Sequence, residues 1–400
     1  MSEGSAGKIL ADGLTEQLIS NLLLFPEFRV FSREASFSEA FAGDPADIRS
    51  RVHVDYLVQG SLRRDASRLR VTARLIDART GEFLWSRTYD RDLSAASAIA
   101  IEEDVAGGIA SNLAAPYGAV SEAVLKGLHD RAPQTLSAYE CVLKAFAYRW
   151  VGDPKQWPEQ FACLEQAVHD DPTYADAWAM LALVRLDQFR WGNDAGGDLA
   201  KVAPQALADA ERAVELAPSN VLALQAVSAV QFHLGRFDEA ERTMRGAVAI
   251  NPYNPETLAL LGIRIALRGG WREGLEYLDR SIDRMAAAPA WTHLVKGMAL
   301  YVLGDYAAAL PEAQAGRTCC AGFGPALLAA VEGQRGQAEA AREALQEATA
   351  RSPLLARDPR AFYALFQVDA KAVDLFITGL EKAGLKTAAA EPAPDSVEKL

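Results

Sequence analysis

The sequence contains little of what an enzyme or a metalloprotein normally displays. Its 400 residues include four cysteines and five histidines, and the histidines are scattered singly, without a pair at metal-ligand spacing or a Cys-x-x-Cys motif beside them. A phosphate-binding loop of the Gly-rich, Lys-Ser type and a Gly-x-Ser-x-Gly elbow are also absent. We therefore expect a protein that is not an enzyme, with no catalytic residues, no cofactor and no metal site.

Long apolar runs and a basic leader are missing as well. No stretch is apolar over the length needed to cross a bilayer, and the first residues, Met-Ser-Glu-Gly-Ser-Ala-Gly, lack the basic start and apolar core of a signal peptide. We expect a cytoplasmic protein without a membrane span. The formal net charge of -12 opposes the phosphate attraction on which nucleic-acid binding depends, so nucleic acid is not an expected partner.

The few cysteines also argue against a disulfide framework. Cys319 and Cys320 are neighbours in sequence, which rarely bridge without strain, and Cys141 and Cys163 complete the set. We interpret all four as reduced residues of a core.

What is present begins with the pattern of a small α/β domain in the first 115 residues. A helix starts near Asp12 and is stopped by Pro26, and residues 28–31 predict a short strand. Period-two alternation then predicts antiparallel strands at residues 56–62, 69–75 and 83–89, and a helix follows over residues 95–113. Arginines take the outward positions of the middle strand, which is typical of a solvated sheet face; a site for an acidic partner is the alternative.

Three blocks of this domain carry a family resemblance: Leu-Ala-Asp-Gly-Leu-Thr-Glu-Gln-Leu-Ile (residues 10–19), Tyr-Leu-Val-Gln-Gly-Ser-Leu-Arg-Arg (56–64), and Leu-Ile-Asp-Ala-Arg-Thr-Gly-Glu-Phe-Leu-Trp (75–85) followed by Tyr-Asp-Arg (89–91). Residues 8–115 thereby resemble the TolB-type N-terminal domain that precedes tetratricopeptide arrays in bacterial signalling proteins. In that family the domain follows a class III adenylate cyclase domain or a winged-helix DNA-binding domain. The resemblance implies a sensory or regulatory role and carries no catalytic residue onto this chain.

The chain departs from this family at its start, since the apolar strand that ends in a Pro-Phe step before the first helix is missing. The sheet is therefore expected to lack its first strand. A misassigned start, a fragment, or an edge left for strand addition by another segment each account for the difference.

Beyond the domain, glycines recur with the period of tetratricopeptide repeats. Gly235, Gly269, Gly304 and Gly336 follow one another at intervals of 34, 35 and 32 residues, each where the turn between two paired helices is expected. Small residues at helix crossings and a proline at the end of the unit accompany them, as at Pro252. A constant period of several anchors predicts an array of helix pairs, because each pair buries its apolar stripe only against the next.

The expected fold class is therefore α+β, with the small α/β domain, lacking its first strand, followed by an all-α tetratricopeptide superhelix. The predicted domains are 1–115 for the truncated TolB-like domain and 116–135 for a linker helix broken by Pro133. Residues 136–353 then form about six helix pairs and 354–386 capping helices. The tail over 387–400 is rich in Ala, Pro and charge and is expected to be disordered.

The expected function is that of a scaffold in bacterial signalling that binds a partner's protein or peptide segment in the groove of the repeats. The alternative is the regulatory half of an adenylate cyclase or transcriptional regulator whose effector domain is missing or encoded separately. Extending the repeat register places seven residues in the groove: Gln225, Phe232, Ile263, Trp291, Leu294, Met298 and Tyr301. Because this surface is apolar and aromatic, it lacks the Lys, Arg and Asn of a carboxylate clamp and requires a cover. A partner segment, the chain's own domain or tail, or a second copy in a homo-oligomer would provide it.

Overall fold

The computed structural model describes residues 3–65, 67–93, 97–128, 136–151, 153–191, 198–285 and 287–386. The predicted tail over 387–400 and the predicted break at Pro133 lie outside the described residues. The described chain forms two compact units. The first comprises Met1–Asp187, Leu199–Leu261 and Asp279–Ala288, and the second Gln188–Asp198, Gly262–Leu278 and Pro289–Leu400. Among the described helices, none combines the length and apolar content that crossing a bilayer requires.

The N-terminal domain is built on a three-stranded antiparallel sheet. Strands β1 (Tyr56–Arg64), β2 (Arg68–Asp77) and β3 (Phe83–Asp92) follow one another in sequence order. Along β2 the apolar side chains of Leu69, Val71 and Leu75 are buried, while the arginines between them are exposed, as the period-two pattern predicts. The exposed Arg70 pairs with Asp90 on β3, with 2.6 Å between Nε and Oδ1. The outward arginines thus form a solvated face that is partly neutralised by acidic residues.

Helices cover the apolar face of this sheet. The domain contains α1 (Glu3–Leu22), α2 (Arg33–Ser36), α3 (Pro45–Val52) and α4 (Ala98–Ala114), and α5 (Ala119–Gly127) follows it. Side chains of α4 and of the segment just after α1, including Ile109 and Phe25, join those of β2 in one core. The strand predicted at residues 28–31 is wrong, because no described strand pairs with this segment and a strand needs a hydrogen-bonded neighbour.

Six antiparallel helix pairs follow within the described residues. They are α6 (Ala138–Val151) with α7 (Trp157–Asp170), α8 (Ala175–Trp191) with α9 (Leu199–Leu216), α10 (Val221–His233) with α11 (Phe237–Ile250), α12 (Pro255–Leu267) with α13 (Trp271–Asp283), α14 (Ala290–Val302) with α15 (Tyr306–Ala315), and α16 (Phe323–Gln334) with α17 (Ala338–Arg351). The four glycines of the predicted turns have φ of 76°, 99°, 85° and 75°, a region that favours glycine. The α+β class with tetratricopeptide-type helix pairs is therefore confirmed.

Small residues allow the two helices of a pair to approach closely. A Cβ atom on Gly262 of α12 would lie 2.7 Å from the Gly274 carbonyl oxygen of α13, and one on Gly274 would lie 2.6 Å from that of Gly262. In α10 and α11 the buried Ser228 hydroxyl donates to the Ala240 carbonyl at 2.5 Å. Backbone contacts of this kind fix the angle at which the two helices of a pair cross. They therefore also fix the direction in which the side chains of the first helix point.

The cysteines are paired, so the expectation of four reduced thiols is wrong. Cys141 on α6 is bonded to Cys163 on α7, with Cα atoms 5.7 Å apart, and Cys319 is bonded to Cys320. The antiparallel packing of α6 against α7 brings the first pair to bridging distance, which the spacing in the sequence does not indicate.

After the pairs, the chain continues through α18 (Pro353–Arg357), α19 (Pro359–Ala364) and α20 (Ala370–Lys382). Helix α20 begins at the cap residue Asp369, whose side chain accepts the Ala372 N–H, and it is followed by Gly384 with φ of 106°. Its inward residues include Phe376 and Leu380, both fully buried.

Candidate partner-binding groove

The seven groove residues named above lie on the first helices of three consecutive pairs. Gln225 and Phe232 lie on α10, Ile263 on α12, and the other four on α14. Asparagine caps set the start of the first two helices: the Asn220 side chain accepts the Ala223 N–H, and the Asn254 side chain accepts the Thr257 N–H. The structure places five of the seven groove residues in the interior and leaves two partly exposed.

In the first unit, Gln225 and Phe232 serve the packing of helices. The Gln225 side chain is 2% exposed, and its Nε2 donates to the Thr257 hydroxyl of α12 at 2.7 Å. This bond joins the first helices of two successive pairs. The Phe232 ring, 5% exposed, meets the Phe237 ring of α11 with 5.3 Å between centroids.

The α+β domain lies over this part of the groove. Gln225 and Glu256 line a cavity of about 30 Å³ together with Phe25, from the segment that follows α1. The Asn251 side chain, in the turn before α12, donates to the Leu24 carbonyl oxygen at 3.1 Å. The chain itself therefore covers the groove around Gln225.

Helix α4 makes the second contact between the domain and the repeats. The Ser111 hydroxyl donates to the Tyr253 carbonyl oxygen at 2.6 Å, and the Asn112 amide donates to the Arg284 carbonyl oxygen at 3.1 Å. Gly107, one turn before Ser111, lies against the Tyr253 ring, and a Cβ atom at this glycine would collide with the ring. These buried hydrogen bonds, together with the close contact between the Gly107 backbone and the Tyr253 ring, fix the orientation of the domain on these repeats.

Glu256, at the start of α12, is a carboxyl group buried in this region. It is 4% exposed, its Oε1 lies 3.5 Å from the Tyr117 hydroxyl, and its Oε2 has no hydrogen-bond partner among the described residues. Burial raises the pKa of Glu256 to about 7, and the nearby Arg149 offsets only part of this effect. The Arg149 guanidinium is already paired with Asp187 at 2.7 Å.

In the second unit the groove residues of α14 differ in how far they are exposed. Leu294 and Met298 are each 3% exposed and Tyr301 is 1% exposed, whereas Trp291 at the start of the helix is only partly buried. Ile263 on α12 is also partly buried. Of the seven groove residues, Ile263 and Trp291 are thus the two whose side chains are partly exposed.

Tyr301 is buried because α20 covers it. The Tyr301 ring stacks on Phe376 of α20 with 5.1 Å between centroids and 23° between planes, and its hydroxyl donates to the Leu375 carbonyl oxygen at 2.9 Å. The Gln334 amide of α16 donates to the same hydroxyl at 3.0 Å. Burial is the main cause that raises the pKa of Tyr301 to about 12, so the phenol remains a hydrogen-bond donor at neutral pH.

Helix α20 also contacts the helices on both sides of α14. The N–H of its cap residue Asp369 donates to the carbonyl oxygen of Leu267, the last residue of α12, at 2.7 Å. On α16, a Cβ atom at Gly333 would collide with the Gly379 carbonyl of α20. Helix α20 therefore lies against the carboxyl-terminal ends of α12, α14 and α16. The apolar face of α20 is visible in the sequence, but its location over Tyr301 is not.

Cations in this region are already partnered. Lys296, on α14, pairs with Glu312 of α15, with 2.9 Å between Nζ and Oε1. His293 lies on the other oxygen of the same carboxylate at 2.6 Å. Across the described residues, no three His, Cys, Asp or Glu side chains converge as metal ligands would.

Comparison with known proteins gives one relative and several partial structural likenesses. No family model matches the chain. The chain is 29% identical over 236 residues to "Putative adenylate cyclase 3" of Rhizobium meliloti (strain 1021), a match that covers 58% of this chain and 38% of the relative. The matched part therefore spans about two-fifths of the length of that relative.

Among solved structures, the APC/C hetero-tetramer Cut9-Hcn1 superposes with a TM-score of 0.45 at 16% identity, covering 72% of this chain and 50% of its own. Pseudomonas aeruginosa pilF superposes with a TM-score of 0.39 at 16% identity, over 54% of this chain and 92% of its own. YrrB, described as a TPR protein with an unusual peptide-binding site, gives 0.33 at 19% identity, over 50% of this chain and 96% of its own.

Proposed function

We propose that this protein is a non-catalytic interaction module of bacterial signalling whose repeats bind a segment of a partner protein. The observation that carries the proposal is the series of six described helix pairs, on whose first helices Ile263 and Trp291 remain partly exposed. Arrays of this kind offer extended surfaces to partner segments, and the half-buried Trp291 provides an aromatic anchor of the type that dominates binding energy.

The chemistry of the accessible residues favours an apolar partner segment. Ile263 and Trp291 are uncharged, and the nearby Lys296 is paired with Glu312, so it is not free to hold a carboxylate. A partner is therefore recognised by an apolar or aromatic side chain rather than by its terminal carboxylate.

The test is quantitative retention of proteins from a lysate of the source bacterium on the purified, immobilised chain. Trp291→Ala should weaken saturable retention at least about tenfold, on the order of 1.4 kcal/mol. Phe83→Ala is the matched control, since Phe83 is 64% exposed on β3 and lies outside the repeats. If Trp291→Ala stays folded and retains partners as the parent and the control do, the groove is not the binding surface.

A second candidate is the regulatory half of an adenylate cyclase, and the observation that favours it is the match to a protein with that name. In this case the chain acts on a catalytic domain that it does not itself provide. Cyclic AMP production by a separately purified class III catalytic domain from the same bacterium should change when this protein is added. An unchanged rate at saturating protein would count against this candidate.

A further inference from the structure

We propose that the small cavity beside Gln225 in the first unit is a binding site for a primary ammonium group, whose charge Glu256 compensates. The proposal goes beyond the binding of a partner segment through Trp291 and concerns residues of the first unit only. The cavity lies where the segment after α1 covers α10 and the start of α12, and Phe25, Gln225 and Glu256 are among its lining residues.

The lining of this cavity is rich in polar and acidic side chains. Three carboxyl groups and four amide side chains contribute to it, and no Lys or Arg side chain of the described chain does. These residues are Glu27, Asp176, Asn220, Gln225, Asn251, Asn254 and Glu256. Such a lining opposes an anion and matches a cation that donates hydrogen bonds.

Several polar groups in the cavity wall are already bonded within the protein. The Asn220 amide donates to Asp176 Oδ1 at 2.6 Å. The Gln225 amide donates to the Thr257 hydroxyl at 2.7 Å. Glu256 differs from them, because it is 4% exposed and its Oε2 has no hydrogen-bond partner among the described residues. This oxygen is therefore the acceptor that a ligand in the cavity would meet.

A charged Glu256 needs a positive charge that its neighbours supply only in part. The Arg149 guanidinium acts on it electrostatically, but it is paired with Asp187 at 2.7 Å. The Tyr117 hydroxyl, 3.5 Å from Oε1, is neutral. A neutral donor at Oε2 would leave the charge buried and uncompensated, whereas a donor that is itself a cation meets both needs.

The size of the cavity selects among cations. Its volume of about 30 Å³ is the share of one molecule in liquid water, so it holds an ammonium group with about one attached carbon atom. A planar guanidinium needs more room. A divalent metal ion needs several converging oxygen ligands, and no three His, Cys, Asp or Glu side chains form such a group in the described part of the chain.

The cavity reaches the surface, so the rest of the ligand lies outside it. Pro26 and Glu27 in the lining are exposed, and Val221 and Leu222 are partly exposed. The methylene groups of a lysine side chain would lie along these apolar residues, with the ammonium group at Glu256. The ammonium group thus belongs either to a lysine of another polypeptide or to a small free amine.

The experiment measures urea unfolding of the full-length protein in methylammonium chloride, with equal concentrations of tetramethylammonium chloride and potassium chloride as comparisons. At about pH 8 Glu256 is charged, because its pKa is about 7, and the amine keeps its proton. Tetramethylammonium has the same charge but is larger and has no N–H donor. A ligand at about ten times its dissociation constant raises the folded-to-unfolded ratio about tenfold. We expect this gain in methylammonium alone.

Glu256→Gln should abolish the gain, because the amide keeps the shape of the side chain but not its charge. Glu211→Gln is the matched control and should retain the gain, since Glu211 on α9 is exposed and is not among the lining residues. Equal stabilisation by methylammonium and tetramethylammonium, or by methylammonium and potassium, would overturn the proposal. A gain that persists in Glu256→Gln would overturn it as well.

Nα-acetyl-lysinamide in place of methylammonium distinguishes the two sources of the ammonium group. A gain as large as that in methylammonium, lost in Glu256→Gln, assigns the site to a lysine side chain. A gain in methylammonium but not in the lysine derivative assigns it to a small free amine. These measurements involve no partner protein, so their failure leaves the proposed binding through Trp291 to its own test.

Discussion

Replacing Glu256 with glutamine should stabilise the folded protein at neutral pH and have little effect at low pH. Burial raises the pKa of Glu256 from 4.5 to about 7, so between these values the folded state holds a proton that the unfolded chain releases. Because the folded state binds more protons in this window, the free energy of unfolding falls as pH rises through it. The full shift in pKa corresponds to about 3 kcal/mol in the free energy of unfolding, and this stability is lost once the carboxylate is charged.

The assay is urea denaturation of the wild type and Glu256→Gln from pH 4.5 to above pH 7, followed by circular dichroism. Taking the difference between the two proteins removes the titration of all shared groups, including the buried Asp176, whose pKa burial also raises. The variant should gain about 3 kcal/mol over the wild type across this range. Tyr117→Phe provides a second check, since loss of the hydroxyl near Glu256 should move the transition to higher pH. A stability difference that does not vary with pH would refute the buried, unpaired state of this carboxyl group.

Three further predictions concern packing and chemistry. Gly107→Ala should destabilise the protein by about 1–3 kcal/mol in urea denaturation, because the added methyl group overlaps the Tyr253 ring. Gly246→Ala on α11 is the control, since a Cβ atom there meets nothing within 4 Å, and it should be neutral or stabilising. Equal effects of the two substitutions would show that α4 does not dock on Tyr253. Tyr301→Phe should speed amide exchange in α20, because the hydrogen bonds to Leu375 and Gln334 are lost, and unchanged exchange would count against them. Purified protein with ATP and magnesium or manganese should form no cyclic AMP above a control without protein, and turnover would show that the chain is an enzyme.

The repeats could be predicted from the sequence because their determinants are local and periodic. A glycine with positive φ is needed at each turn, and Gly235, Gly269 and Gly304 meet this need at nearly constant spacing. The period-two pattern of β2 likewise determines which face of the sheet is buried. The segment at residues 28–31 shows the limit, since its composition favours a strand but a strand also requires a partner, and no described strand pairs with it.

The candidate site was less predictable because exposure depends on which distant segments meet. The repeat register assigns Gln225 and Tyr301 to the groove, yet it contains no information on the segments that cover them. Asn251 and Ser111 are separated by 140 residues of sequence, and they act together only because the α+β domain docks on the repeats. The burial of Glu256 has the same origin. No local signal in the sequence distinguishes it from a solvated glutamate at a helix start.

Self-coverage determines which groove residues a partner could reach. In the first unit the α+β domain covers Gln225, and in the second unit α20 covers Tyr301, so neither side chain is open to an incoming segment. Trp291 and Ile263 are already partly exposed, so a partner would contact them without the displacement of a covering segment. The loss of Trp291 should therefore weaken the proposed binding, whereas substitutions of the covered Gln225 or Tyr301 should act mainly on the stability of the fold.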